Sequence, residues 1–336
     1  MIITLKKDTT ENQIEDFIDV WKEKGFDVHV SKGANLTILG LLGDTSSLAT
    51  EQVESYSVVE KAQRISAPYK MANRSFHPEN SVIKVGTATF GNGMIPVIAG
   101  PCSVETEEQV VSIAKDVKKA GARLLRGGAF KPRTSPYSFQ GLGEQGLEIL
   151  KTAKKETGLP IVTELMDIRQ LQYFDDVDVI QIGARNMQNF DLLKEMGKVG
   201  KPILLKRGMA ATVKEFLMSA EYIMASGNED VILCERGVRT FDNYTRNCLD
   251  VSIVPYLHKV SHLPVIVDPS HACGQRWMVA DLAKASVACN TDGLIIEVHN
   301  NPEKALCDGE QSLHPTEFAD LMKVLPVVAG INNRTM

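Results

Sequence analysis

The chain has 336 residues, of which 43% are hydrophobic and 24% charged, and its net charge is −5. This composition is typical of an ordinary soluble globular protein. An acidic chain lacks the basic footprint of a general nucleic-acid-binding protein, and no apolar run is long enough to span a bilayer. Charged residues follow Leu5 directly, where a signal peptide needs its apolar segment. The six cysteines are scattered without a C-x-x-C pair, which indicates reduced thiols, and we expect a cytoplasmic protein.

The first 65 residues are predicted to form a module of their own. A helix is expected at 11–24, where apolar residues such as Ile14, Phe17 and Trp21 share one face, and a polar helix is expected at 46–54. β-rich runs lie at 2–5, 26–30, 36–41 and 56–59, and residues 31–35 make a hairpin-type connection. The order βαββαβ is typical of a small α+β ferredoxin-like domain. Residues 66–80 lack periodicity and are predicted to be a linker.

From residue 81 to 336 the pattern is that of a second, larger domain. A short hairpin at 82–90 precedes eight apolar β-rich runs, each followed by a helical segment. The runs are 95–99, 122–125, 160–163, 179–182, 202–205, 231–233, 264–267 and 293–296. Such alternation indicates a parallel sheet covered on its outside, and eight units over about 245 residues predict a (β/α)8 TIM barrel. An open doubly wound sheet is the alternative.

The segment Gly141–Gly146 matches the dinucleotide-binding pattern G-x-G-x-x-G. It follows a polar, proline-containing loop rather than a strand, so the structural context that the motif requires is missing. We therefore predict no dinucleotide cofactor there.

Metal-binding residue types follow three adjacent strands of the predicted barrel. The candidate ligands are Cys102 after strand 1, His271 after strand 7, Glu297 at the end of strand 8 and Asp308 in the next loop. Because the active sites of TIM barrels lie at the C-terminal ends of the strands, these residues would meet on one rim. A mixed sulfur, nitrogen and oxygen set suits Zn, Fe, Mn or Co. Taken alone, Cys102 fits a buried small hydrophobic residue and His271 a hydrogen-bonded loop histidine better than a ligand, and only the four together favour a metal. Cys273 and His299 remain alternative ligands.

The other strands end in positive charge. The basic residues are Arg126, Lys131, Arg133, Arg185, Lys206, Arg207 and Arg236. If these side chains all point into the opening at one end of the barrel, they would repel one another unless anions were bound between them. The cluster therefore predicts a site for more than one phosphate or carboxylate. Thr134 and Ser135 add hydroxyl donors, and Glu164 is placed to orient a water or a lysine. A metal beside a polyanion site fits the joining of a phosphorylated acid to a carbonyl.

Seven motifs occur in order along the barrel. They are Gly100–Ser103 (GPCS), Arg126–Ser135 (RGGAFKPRTS), Gly183–Asn186 (GARN), Leu205–Gly208 (LKRG), Glu235–Gly237 (ERG), Asp268–His271 (DPSH) and Glu297–His299 (EVH). Over residues 80–330 the chain strongly resembles the type I beta subgroup of 3-deoxy-D-arabino-heptulosonate 7-phosphate (DAHP) synthases, which act at the entry to the shikimate pathway. The first 65 residues resemble the ferredoxin-like, ACT-like regulatory domain of some members.

The resemblance implies a role for each residue. It places one divalent metal ion (Mn, Fe, Co, Zn or Cd) on Cys102, His271, Glu297 and Asp308. It places phosphoenolpyruvate on Arg126, Lys131, Arg185, Lys206 and Arg236, and the phosphate of erythrose 4-phosphate on Arg133, Thr134 and Ser135. The expected catalytic residues are Lys131, Glu164, Cys102 and His271. A homotetramer is expected, with feedback inhibition by tyrosine or phenylalanine at the N-terminal domain.

Several alternatives remain open at this point. The related octulosonate 8-phosphate synthases use arabinose 5-phosphate, although they usually carry Lys-Ala-Asn-Arg-Ser where this chain has Lys131–Ser135, and a sialic-acid synthase is a further option. In a different mechanistic class, Lys206 would be the Schiff-base lysine of a metal-free aldolase. A non-enzymatic sensor and a merely dimerising N-terminal domain are the remaining alternatives. Cys307 departs from relatives that often have serine before the ligand aspartate.

Overall fold

The computed structural model describes residues 1–33, 36–45, 48–64 and 67–336. These form two compact units, one of residues 1–80 with 259–262 and the other of residues 81–258 with 263–336. The division of the first 80 residues into a domain at 1–65 and a linker at 66–80 stays a prediction.

The N-terminal unit has the predicted βαββαβ order. Its elements are β1 (Ile2–Leu5), α1 (Glu11–Glu23), β2 (Asp27–Lys32), β3 (Thr37–Leu42), α2 (Thr50–Glu54) and β4 (Val59–Gln63). The sheet order is β2-β3-β1-β4, and β1 pairs antiparallel with both of its neighbours. Phe17 and Trp21 of α1 are buried with Ile3, Leu5 and Leu39 of the sheet. The small α+β domain is therefore confirmed.

Of three local predictions for this unit, one is wrong and two fall partly on residues outside the described ranges. The strand predicted at 56–59 was wrong, because residues 55–58 form a turn and β4 begins at Val59. That turn carries the chain back so that Val59 pairs with Leu5. The predicted connection at 31–35 and the start of the predicted helix at 46–54 fall on residues 34, 35, 46 and 47, which lie outside the described residues.

The second unit is a closed barrel of eight parallel strands. The strands are β7 (Val97–Gly100), β8 (Leu124–Arg126), β9 (Ile161–Glu164), β10 (Val179–Ile182), β11 (Ile203–Lys206), β12 (Val231–Glu235), β13 (Val265–Val267) and β14 (Leu294–Glu297). Every residue in these strands is buried, as expected for strands that pack on both faces. The first and last strands pair, with Leu294 opposite Val97, so the barrel prediction is confirmed and the open sheet was wrong.

A hairpin of β5 (Ile83–Val85) and β6 (Ala88–Phe90) precedes the barrel, as predicted. Its apolar side chains belong to one buried cluster that takes at least one residue from each barrel strand. The helices around the barrel are α3 (Glu107–Lys119), α4 (Glu144–Thr157), α5 (Phe190–Met196), α6 (Val213–Ala225), α7 (Ile253–Val260), α8 (Pro269–Cys273), α9 (Arg276–Ala288) and α10 (Pro315–Ile331). Gly143 of the G-x-G-x-x-G segment is the N-cap of α4, after the long loop that follows β8. Among the described residues, no helix has the length and apolar character needed to cross a membrane.

The N-terminus of α6 gives a test of local stability. Thr212 accepts the N–H of Glu215 through its hydroxyl at 3.2 Å, and the Glu215 carboxylate accepts the N–H of Thr212 at 2.8 Å. Replacing Thr212 by Ala removes this capping box and should lower the free energy of unfolding by about 1 kcal/mol, measured by urea denaturation. Lys214→Ala, at an exposed position of the same turn, is the control. Equal stability of both variants would contradict the capping role.

Candidate metal and anion site

The four predicted metal ligands lie together at the C-terminal end of the barrel. Cys102 follows β7, His271 lies in α8 after β13, Glu297 ends β14 and Asp308 lies in the loop beyond it. One donor atom from each of the four lies within 4.8 Å of every other. Individual distances include 3.3 Å from Cys102 Sγ to Asp308 Oδ2 and 3.4 Å from His271 Nε2 to Glu297 Oε1. One thiol, one imidazole and two carboxylates at this spacing fit a single divalent transition-metal ion.

The two alternative ligands have other partners. Cys273 Sγ lies 3.1 Å from the carbonyl oxygen of Pro269. His299 Nε2 lies 2.6 Å from Gln109 Nε2 and 3.5 Å from Glu105 Oε2. The structure therefore brings together the first set of candidates and places Cys273 and His299 in separate contacts.

The carboxylates of the cluster are held in their ionised form. Burial alone would raise the pKa of Glu297, but His271 and Arg126 lower it below the usual range. Burial opposes ionisation of Asp308 in the same way, and His271 and Arg246 overcome it, so that its pKa is also lowered. Both groups are thus acceptors without a competing proton, as metal ligands must be. The contact with Cys307 and burial raise the pKa of the Cys102 thiol, which a bound cation would oppose.

A cavity of about 270 Å³ lies beside these ligands. The eight residues to which the resemblance assigns substrate binding all line it, namely Arg126, Lys131, Arg133, Thr134, Ser135, Arg185, Lys206 and Arg236. His271 and Asp308 belong to the same lining, so the metal and anion sites share one wall. Arg207 has a different place, because it pairs with Glu235 at 3.0 Å and Asp250 at 3.1 Å. Its inclusion among the anion-binding charges was wrong.

Two arginines of the cavity have unused hydrogen-bond donors. Among the described residues, Nη1 of Arg236 and Nε of Arg126 are buried side-chain atoms with no hydrogen-bond partner. A buried donor without an acceptor costs about 1–3 kcal/mol. Arg236 lies at the cavity, and burial lowers its pKa, which a bound anion would reverse. These donors therefore support an anionic ligand at this wall.

Lys131 lies between the two sites. Its Nζ donates to the carbonyl oxygen of Cys102 at 2.9 Å and contacts Cys102 Sγ at 3.1 Å. Burial alone would lower the pKa of Lys131, but negative charge on the sulfurs of Cys102 and Cys307 and on Glu297 raises it above the usual range. The group is therefore an ammonium ion, placed to donate a proton or a hydrogen bond to a ligand at the boundary of the two sites.

Glu164 ends β9 and is buried at the cavity wall. Gln181 Nε2 lies 3.4 Å from its Oε2. A β-carbon at Gly183 would lie 1.9 Å from Glu164 Oε1, so the carboxylate occupies space that only glycine leaves open. The position of Glu164 thus depends on residue 183 of the GARN motif.

The structure adds residues that the sequence analysis missed. Arg246, in the loop after β12, lines the cavity and pairs with Asp308 at 3.2 Å. Its Nη1 also donates to Gln311 Oε1 at 3.0 Å, and Gln311 donates to Glu297 Oε2 at 2.6 Å. Neither residue stands at a strand end, so the pattern that located the others gave no signal for them. Cys307 also lines the cavity, and its sulfur contacts Arg133 and lies 3.2 Å from Cys102 Sγ.

A barrel with one cluster of candidate metal ligands beside a multi-cation cavity is the arrangement expected of the class of protein that binds phosphorylated acids next to a metal. Comparison with known proteins agrees with this class. Residues 52–328 match the DAHP synthetase I family, and residues 1–67 match the DAHP synthase ferredoxin-like domain. The chain belongs to the DAHP synthetase I family.

Individual relatives are consistent with this assignment. Phospho-2-dehydro-3-deoxyheptonate aldolase of Thermotoga maritima is 48% identical over 98% of both chains. A crystal structure of that enzyme, also described as DAHP synthase, covers 99% of this chain and 98% of its own with a TM-score of 0.79 and 46% identity. The 2-dehydro-3-deoxyphosphooctonate aldolase of Syntrophotalea carbinolica is 33% identical over 74% of this chain and 96% of its own. The octulosonate relatives are thus more distant, and that alternative is not favoured.

The dependence of Glu164 on Gly183 can be tested by substitution. Gly183→Ala places a methyl group against the carboxylate and should reduce kcat/KM by roughly ten- to a hundredfold, because small displacements of catalytic groups are costly. Steady-state kinetics provide the measurement, with Gly200→Ala as the control because a β-carbon there meets nothing within 4 Å. If the two variants retain the same activity, Glu164 is not held by this contact.

Proposed function

We propose that this protein catalyses the condensation of phosphoenolpyruvate with D-erythrose 4-phosphate and water. The products are 3-deoxy-D-arabino-heptulosonate 7-phosphate and inorganic phosphate, which is the first step of the shikimate pathway towards the aromatic amino acids. The observation that carries the proposal is the single cavity in which eight predicted anion-binding residues adjoin a four-donor metal cluster. Family membership supports the same activity.

The cavity offers two groups of anion-binding side chains. Arg126, Lys131, Arg185, Lys206 and Arg236 would hold the phosphate and carboxylate of phosphoenolpyruvate, with arginine giving paired contacts. Arg133, Thr134 and Ser135 would hold the phosphate of erythrose 4-phosphate. The two phosphorylated substrates would then lie with their reacting carbons between the two groups, near Lys131.

The metal cluster would lie next to the aldehyde end of the second substrate. Cys102, His271, Glu297 and Asp308 would hold one divalent ion, for which Mn, Fe, Co, Zn and Cd all suit the donor set. When bound, such an ion is a Lewis acid that polarises a carbonyl group.

The reaction joins C3 of phosphoenolpyruvate to the aldehyde carbon. Lys131, held as an ammonium ion, would donate the proton that the aldehyde oxygen takes up. Water adds at C2 of the enolpyruvate unit, where Glu164, at the cavity wall beside Gln181, would orient it, and the proton that the water loses would return to the Lys131 amine. The resulting phosphohemiketal loses inorganic phosphate to give the keto acid, and the arginines that held the phosphate release it.

Lys206 favours this mechanism over Schiff-base chemistry. Its Nζ donates to Asp268 Oδ2 at 2.5 Å, and both side chains are buried. A lysine that forms an imine needs a free nitrogen lone pair to attack a carbonyl carbon, whereas Nζ of Lys206 is engaged by a buried carboxylate. We therefore assign Lys206 to anion binding.

An assay of phosphate release tests the activity and its metal requirement together. With phosphoenolpyruvate present, erythrose 4-phosphate should support release far better than arabinose 5-phosphate, EDTA should abolish it, and added Mn²⁺ should restore it. Cys102→Ala should weaken Mn²⁺ binding by more than the roughly 10–100-fold typical of an outer-shell change, measured by calorimetry. Full activity in rigorously metal-free protein would contradict the metal's role, and a preference for arabinose 5-phosphate would reverse the substrate assignment.

The N-terminal unit is proposed to regulate the barrel. We infer that tyrosine or phenylalanine is the effector and that the protein acts as a homotetramer. The match of residues 1–67 to the ferredoxin-like domain of DAHP synthases supports this proposal. A truncated form of the Thermotoga maritima enzyme, 48% identical to this chain and covering 80% of it, has a solved structure.

Deletion of residues 1–65 tests the regulatory role. The full chain should be inhibited by tyrosine or phenylalanine, and the truncated chain should keep its activity but lose the inhibition, because the effector site is removed. Initial rates with each aromatic amino acid supply the measurement, with tryptophan and leucine as controls. Equal inhibition of both forms would assign the effector site to the barrel.

A further inference from the structure

Asp268 is a buried aspartate that lies between β13 and α8, and it is 1% exposed. Its Oδ1 accepts the backbone N–H of His271 at 2.9 Å, which caps the short helix. Its Oδ2 accepts from two side chains, His271 Nδ1 at 2.8 Å and Lys206 Nζ at 2.5 Å. One carboxylate therefore contacts both a metal-ligand candidate and a cation of the anion cavity.

The contact with His271 determines which ring nitrogen is free. An ionised carboxylate only accepts hydrogen bonds, so Nδ1 of His271 must carry the hydrogen. In the neutral ring that a metal ligand requires, Nε2 then carries the lone pair, and this is the nitrogen that lies 3.4 Å from Glu297 Oε1 and 3.8 Å from Asp308 Oδ2. Metal-binding histidines commonly owe their ring orientation to a carboxylate on the second nitrogen.

Lys206 donates to the same Asp268 oxygen that accepts from His271. Lys206 ends β11 and lines the anion cavity, and its side chain is 5% exposed. A buried ammonium ion needs an anionic partner, which Asp268 provides. The orientation of the lysine and that of the histidine thus depend on one atom.

We propose that Asp268 is the positioning residue that joins the two half-sites: it sets the tautomer and orientation of His271 for the metal and holds Lys206 at the wall of the anion cavity. This inference rests on the proposed function, since it concerns the same metal and substrate sites. Asp268 is neither one of the four candidate ligands nor part of the cavity lining, and it acts through its two partners.

The chain contains a matched control at the opposite end of the barrel. Asp292, just before β14, accepts from His258 Nε2 at 2.7 Å, from Arg334 Nη2 at 2.5 Å and from the N–H of Val265 at 2.9 Å. It is also a buried aspartate that joins a histidine to a cation, but it lies at the N-terminal ends of the strands. Substitution of Asp292 should therefore cost stability without changing metal binding.

The test is calorimetric titration of the EDTA-treated full-length chain with Mn²⁺, comparing the wild type, Asp268→Asn and Asp292→Asn. Asn keeps the N-cap, so the helix should persist, while Asp268→Asn should weaken Mn²⁺ binding by about 10–100-fold. Asp292→Asn should bind Mn²⁺ as the wild type does. In a double-mutant cycle, Asp268→Asn should add little to the loss caused by His271→Ala, because it acts through that ring.

A second measurement needs no Asp268 variant. Nitrogen-15 spectra of histidine-labelled, EDTA-treated wild-type protein, with His271→Gln used for assignment, should show the hydrogen of His271 on Nδ1. A hydrogen on Nε2, or unchanged Mn²⁺ affinity in Asp268→Asn, would overturn the inference. A wild type that binds no Mn²⁺ would instead overturn the metal site of the proposed function, so the two failures are distinguishable.

Discussion

Charge pairing between the metal cluster and the anion cavity is the interaction on which the rest of the site depends. Arg126 pairs with Glu297 at 2.6 Å, and Arg246 pairs with Asp308 at 3.2 Å. A buried carboxylate or guanidinium without a partner costs several kcal/mol. Each half of the site therefore stabilises the charged form of the other, and neither half can be rearranged alone.

This pairing leaves a local surplus of positive charge in an acidic chain. The net charge of the protein is −5, yet the cavity lining includes five arginines and two lysines against two acidic residues, Glu164 and Asp308. Two of the arginines also carry buried nitrogen donors that lack partners. Anionic ligands supply both the missing charge and the missing acceptors, which is why substrate binding should be strong although the protein as a whole repels anions.

Sequence alone located most of this site because parallel strands are regular. Each strand is a short apolar run, and the residues that follow it must reach the same rim, so Cys102, Arg126 and Lys206 could be placed from their positions in the chain. Arg246 and Gln311 could not, because their location depends on the path of long loops, which have no period. The misplaced strand at 56–59 has a related cause, since the apolar pair Val58 and Val59 spans the end of a turn and the start of β4.

Backbone conformation at Asp308 explains how two consecutive residues reach the same thiol. Asp308 has a φ of 51°, in the left-handed region that aspartate tolerates better than most residues. With the chain turned in this way, Cys307 Sγ and Asp308 Oδ2 lie 3.2 and 3.3 Å from Cys102 Sγ. The sulfur of Cys307 also contacts Arg133, on the side assigned to the aldehyde phosphate. Cys307 therefore lies at the junction of the two half-sites, because its sulfur contacts both a candidate metal ligand and a side chain assigned to the aldehyde phosphate.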